Sequence, residues 1–123
     1  MMFTSVFSTY SFAKAGRVRM LGVASPQRSP SAPDVPTIAE SGFAGVEVTS
    51  WWGLLAPAST PREVVARLNG ETVKIMASAD ARERIASMGA DIATSTPQQF
   101  ADFIKTEHAK WAQLIKESGA KVE

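Results

Sequence analysis

An α/β layer architecture is the fold class this sequence predicts, and three observations predict it. The run Val18 to Ala24 is short, apolar and partly β-branched, which suits a strand better than a helix. Val46 to Leu55 alternates and then becomes continuously apolar, as a strand does when one face is covered early and both faces later. Downstream, three segments open with Thr or Asp followed three residues later by Glu or Gln, the pattern of capped helices. Strands interleaved with helices make a layered α/β protein.

Taken in order, the first sixteen residues, Met1 to Gly16, hold a small-x-small triplet at Ala13-Lys-Ala15 that has the form of a signal-peptidase site. They lack a charged n-region, however, and Thr and Ser break the apolar run short of the ~7 to 15 residues a secretory segment needs. Beyond the Val18–Ala24 run, Pro26, Pro30, Pro33 and Pro36 each remove an N–H donor, so a structured loop is expected rather than a ladder. Thr37 can cap one helical turn over Ile38 to Glu40, and Gly42 can stop it.

The strand reading of Val46–Leu55 is followed by Thr60-Pro61-Arg62-Glu63, which reads as a capping box with proline at the first helical position. A helix from Pro61 to about Ser78 should carry Val64, Val65, Leu68, Ile75 and Met76 on its apolar side. Gly70 inside it costs about 1 kcal/mol relative to alanine. Asp80-Ala-Arg-Glu83 opens a shorter helix that should end at Gly89 with Ile85 and Met88 inward, and Asp91 to Ala93 should be extended. Thr96-Pro97-Gln98-Gln99 starts the last helix, whose Phe100, Phe103, Ile104, Trp111, Leu114 and Ile115 recur at three- and four-residue intervals before Gly119.

Composition narrows the function classes. Hydrophobic content of 45% and charged content of 20% in 123 residues are those of a chain that folds, with enough length for one modest core. Thirteen basic against twelve acidic side chains, interspersed, leave no stripe that could track a phosphate backbone, so nucleic acid is not an expected partner. With no cysteine there is no disulfide, thiolate metal site or cysteine nucleophile. No run reaches the ~18 apolar residues of a membrane span.

Catalytic constellations are missing. The one histidine, His108, stands mid-helix beside Glu107 with no nucleophile patterned around it, and it reads as a surface or boundary residue. Asp34, Glu40 and Glu47 stand singly, and the glycines form neither a dinucleotide fingerprint nor a phosphate-binding loop. No catalytic residue, metal site or cofactor is expected. The best candidate for ligand contact is Thr49-Ser50-Trp51-Trp52, where hydroxyls and backbone N–H groups can hold a carboxylate beside an indole wall. The competing reading makes both tryptophans core. In a strand they point to opposite faces, so one could line a cleft while the other packs under the Pro61 helix. Arg17, Arg19 and Arg28 could attract anions or simply be scattered surface charges.

Four motifs in fixed order carry a family resemblance: Gly16-Arg-Val-Arg-Met-Leu-Gly-Val-Ala-Ser25, Arg28-Ser-Pro-Ser-Ala-Pro-Asp-Val-Pro-Thr-Ile-Ala-Glu-Ser-Gly42, Val46-Glu-Val-Thr-Ser-Trp-Trp-Gly-Leu-Leu-Ala-Pro57, and Ala56-Pro-Ala-Ser-Thr-Pro-Arg-Glu-Val-Val-Ala-Arg-Leu-Asn69. With them, the chain from about Met2 onward resembles the extracytoplasmic solute receptors of tripartite tricarboxylate transporters, the TctC-like or Bug proteins. The resemblance implies part of a two-lobed type II periplasmic-binding fold, specifically a C-terminal portion, since family members are more than twice as long. Residues 1–45 would be a remnant of the second lobe and the crossover, and residues 46–123 the C-terminal part of the first lobe. It also implies a non-catalytic receptor for small carboxylates or related metabolites, partnered by membrane transporter subunits and periplasmic when intact. Met2-Phe3 would end a buried strand, Lys14-Ala-Gly16 would end the helix after it, and Thr4 and Ser5 would sit at the cleft. The family usually has an acidic residue where this chain has Thr4, and a frayed terminus is the alternative there. The rival to the receptor reading is an interaction module that self-associates through uncovered apolar faces.

Overall fold

In the computed structural model, residues 1–119 are described. Four helices follow one another: α1 (Val6–Lys14), α2 (Arg62–Ala77), α3 (Ala79–Ser87) and α4 (Pro97–Ser118). The chain divides into two compact units, Met1–Leu55 with Ile75–Ala93, and Ala56–Lys74 with Thr94–Glu123. No helix among the described residues is long and apolar enough to cross a membrane.

Helix α1 starts where Ser5 accepts a hydrogen bond from the Ser8 amide at 3.2 Å. It ends as the sequence led one to expect, at Gly16, which adopts φ 67°. The Gly16 amide donates to the Ala13 carbonyl and the Arg17 amide to the Phe12 carbonyl, a Schellman closure that occupies two otherwise orphan carbonyls. Met2 and Phe3 are strongly exposed and belong to no strand, contrary to expectation, because no neighbouring chain pairs with them among the described residues.

The proline-rich loop is tied together by hydrogen bonds between its own segments. Val23 donates to the Pro36 carbonyl and accepts from the Ile38 amide, both at 2.9 Å, forming a single parallel bridge with Thr37. The expected strand at Val18–Ala24 reduces to this bridge. Its partner segment is broken by prolines, which lack the N–H donors a longer ladder requires. Val23, Ala32, Ser29 and Thr37 are the buried residues here.

Thr37 caps its turn as expected, and the cap is reciprocal: the Glu40 amide donates to the Thr37 hydroxyl at 3.0 Å while the Thr37 amide donates to the Glu40 carboxylate at 2.7 Å. Gly42, at φ 95°, ends the turn. The loop is held across to the segment after α3, where the Ser29 hydroxyl donates to Asp91 at 2.8 Å and the Ser31 hydroxyl to its other oxygen at 3.1 Å.

The run Val46–Leu55 also forms no strand. The Val48 amide donates to the Ala24 carbonyl at 2.9 Å, but among the described residues no repeating series of such bonds forms a ladder here. Helix α2 forms over nearly the expected span, but it begins at Arg62, one residue later. The Pro61 carbonyl accepts from Val64 and Val65, and no bond between the Thr60 hydroxyl and the Glu63 amide exists among the described residues. Thr60 is instead drawn into the preceding turn, its amide on the Pro57 carbonyl at 2.9 Å.

Helix α3 is capped by Ser78 rather than Asp80, through the Ala81 amide. Its end at Gly89, φ 75°, is a second Schellman closure, with Gly89 on Ala86 and Ala90 on Ile85. Ile85 is half-buried as expected, whereas Met88 lies at the surface. In the second unit, α4 carries the full capping box between Thr96 and Gln99, and the Asn69 amide group ties α2 to the Ser95 carbonyl at 2.9 Å. The apolar stripes of these helices are present but lightly covered: Leu68, Ile75, Phe103, Trp111, Leu114 and Ile115 all remain exposed.

Candidate functional site

The first element of a site is the α1 N-terminus. Ser5 supplies the cap, its hydroxyl shared with that of Ser8 at 2.6 Å, and no acidic side chain lies in the first turn. The exposed amide end of a helix carries partial positive charge, which favours an anion. Thr4 precedes it at the surface, and Ser5 is half-buried.

The second element is the Thr49–Trp52 run, which follows the Val48 tie to Ala24. Thr49, Ser50, Trp51 and Trp52 are all exposed, Trp51 to 40% and Trp52 to 69%. The two elements meet through a ring contact. The Phe7 ring, in the first turn of α1, packs edge-on against Trp52 with centroids 5.4 Å apart and planes inclined at 61°. Both candidate clusters, far apart in sequence, are thereby joined. Phe7 itself was not singled out from the sequence, and no local pattern could have marked it, because its partner comes from a distant segment.

The arginines behave differently from one another. Arg28 is spent on structure: its Nε faces both carboxylate oxygens of Glu40 at 3.1 and 2.9 Å, and its terminal nitrogen donates to the Pro33 carbonyl at 3.1 Å. The Thr37 amide foremost, and then the Arg28 guanidinium, hold the Glu40 carboxyl below its ordinary value. Arg17 lies over the Phe12 ring at 5.1 Å. The long proline-rich motif is therefore a self-bonded loop.

Chemically, hydroxyls, free helix amides and an indole wall can bind a carboxylate. No group of three or more His, Asp or Glu side chains that could hold a metal occurs among the described residues, and His108 is exposed on α4.

Comparison with known proteins shows the family. Residues 1–120 match the tripartite tricarboxylate transporter family receptor, TctC. A UPF0065 protein encoded in the tcbD-tcbE intergenic region of Pseudomonas sp. is 46% identical over 118 residues, covering 95% of this chain and 35% of that relative. Among solved structures, an R. palustris protein with adipate superposes with a TM-score of 0.82 at 31% identity, over 93% of this chain and 38% of its own. The periplasmic binding protein BugD gives a TM-score of 0.80 at 32% identity, over 94% and 39%. The chain thus spans about a third of the length of most of the curated relatives it matches, and 69% of one, a UPF0065 protein of Pseudomonas knackmussii. Its helices and single bridge are a portion of the periplasmic-binding architecture, and the chain belongs to the tripartite tricarboxylate transporter receptor family.

Proposed function

We propose that these 123 residues act as the C-terminal portion of a periplasmic receptor that captures small carboxylates for a tripartite tricarboxylate-type transporter. The observation that supports this reading is the Phe7–Trp52 ring contact, which joins the first turn of α1 to the Thr49–Trp52 run. Thr4, Ser5, Thr49 and Ser50 would donate hydrogen bonds to a carboxylate, and Trp51 or Trp52 would wall the carbon chain. The adipate held by the R. palustris relative is a ligand of that chemical class. Residues 1–45 would belong to the second lobe and crossover, and residues 46–123 to the first lobe. The role is binding and hand-over to membrane subunits, without catalysis.

A cleft contributed in part should bind weakly. If an intact receptor binds at micromolar strength, about -8.2 kcal/mol, half the contacts leave roughly millimolar affinity. Saturation-transfer NMR with adipate should show contact that fades when Thr49 and Ser50 are both replaced by alanine. No transfer at tens of millimolar adipate, or transfer that ignores those substitutions, would refute the reading.

A further inference from the structure

We propose that Asn69–Gly70 is a self-modifying site: the asparagine deamidates through the Gly70 nitrogen, and the product permanently unties helix α2 from the segment that opens α4. This does not depend on the carboxylate reading. Three observations carry it.

The first is the chemistry of the sequence. Asn69 is the one asparagine in the chain, a glycine follows it, and no aspartate precedes a glycine. Asparagine is a labile residue. A glycine after it has no Cβ to hinder its nitrogen.

The second is the place in the fold. Both residues lie in the interior of α2, where regular helical bonding commits the Gly70 amide to the carbonyl four residues back. Helical ψ also holds that nitrogen away from the Asn69 side-chain carbon, so reaction requires the turn to open. Opening is favoured at this point: glycine weakens a helix interior, a Cβ on Gly70 would meet nothing within 4 Å, and the flanking Leu68 and Val73 are exposed.

The third is the bond at stake. The Asn69 Nδ2 donates to the Ser95 carbonyl at 2.9 Å, joining α2 to the residue just before Thr96, the N-cap of α4. Opening the turn frees this amide, and the freed amide is the group that reacts.

The steps balance with water as the one outside reagent. The Gly70 nitrogen gives up its proton and attacks Cγ of Asn69, the Cγ–Nδ2 bond breaks, and the nitrogen leaves as ammonia with that proton. Water then opens the cyclic imide. Addition at Cγ gives aspartate, and addition at the main-chain carbonyl carbon gives isoaspartate, whose backbone carries an extra methylene. Either product puts a carboxylate, which only accepts, where the Ser95 carbonyl needs a donor. A reversible opening thereby becomes irreversible, and the twelve acidic side chains become thirteen against thirteen basic ones.

The test follows the purified 123-residue chain through weeks at neutral pH by ion exchange, intact mass and enzymatic methylation of isoaspartate. A more acidic species should accumulate, with isoaspartate mapping to Asn69, at a rate at least about tenfold below that of the same chain in concentrated urea. Gly70→Ala should slow conversion by at least about tenfold in urea, where helix stability no longer counts. In the isolated converted fraction, amides in the first turn of α4 should exchange several-fold faster than in the fresh chain, and Asn69→Asp should reproduce that change. No isoaspartate in the folded chain while the urea sample converts would overturn the proposal. So would a Gly70→Ala chain converting in urea as fast as wild type, or a converted fraction whose α4 amides exchange no faster than before.

Discussion

Arg28 and Glu40 are joined by a forked contact, the guanidinium Nε 2.9 Å from one carboxylate oxygen and 3.1 Å from the other, with the same carboxylate accepting the Thr37 amide. Because the Glu40 carboxyl is held below its ordinary value of 4.5, its charged form is favoured by folding. Its contribution is fully present above that ordinary value and is lost as pH falls through the depressed one. Glu40→Gln should therefore lower the denaturation midpoint near neutral pH, and the gap from wild type should close on acidification. A gap that stays constant with pH would show that the carboxylate charge is irrelevant to the loop.

Thr96 and Thr60 looked alike in sequence but differ in structure. Thr96→Ala removes an N-cap and should cost about 1 kcal/mol, seen as a lower midpoint with an unchanged m-value. Thr60→Ala removes no cap and should be nearly silent. Equal losses at both sites would restore the capping box at Thr60.

Gly70 lies inside α2 with nothing within 4 Å of where a Cβ would stand. Alanine there gains helix propensity without a clash, so Gly70→Ala should stabilise the chain by about 0.5 to 1 kcal/mol. Loss of stability in a urea titration would mean that this surface is covered.

Gly89 is the opposite case. At φ 75°, its Cβ would stand 2.5 Å from both the Cβ and Cγ of Tyr10. Gly89→Ala should cost at least about 1 to 2 kcal/mol from the backbone alone. Adding Tyr10→Ala should return part of the remainder, because it removes the overlapping Cγ and Cδ2 but keeps the equally close Cβ. A double-mutant cycle with no coupling would place the whole cost in the backbone.

What could be read from sequence was what is local. The Thr96–Gln99 box, the Thr37–Glu40 turn and the glycine stops of α1 and α3 are each complete within a few residues, so side-chain type and spacing suffice to specify them. At Thr60 the local signal failed because the start was displaced by one residue and the threonine was recruited to the turn from Pro57. Strands were over-read at Val18–Ala24 and Val46–Leu55 for a different reason: apolar runs show a preference for pairing, but pairing also needs a partner. The same limit hid Phe7 beneath Trp52 and Asp91 behind Ser29, contacts between segments that nothing in either segment announces.

The Ser29–Asp91 bond has a consequence for the order in which the chain assembles. It closes a loop of 62 residues, and a closure of that length costs on the order of 4 kcal/mol of chain entropy before the bond gives anything back. Helices α2 and α3 lie inside that loop and form from neighbours three and four residues apart, so they can precede it. The proline-rich loop should then dock last in folding and detach first in unfolding. A protease pulse during early unfolding should therefore cut near Arg28 while the helices are still intact.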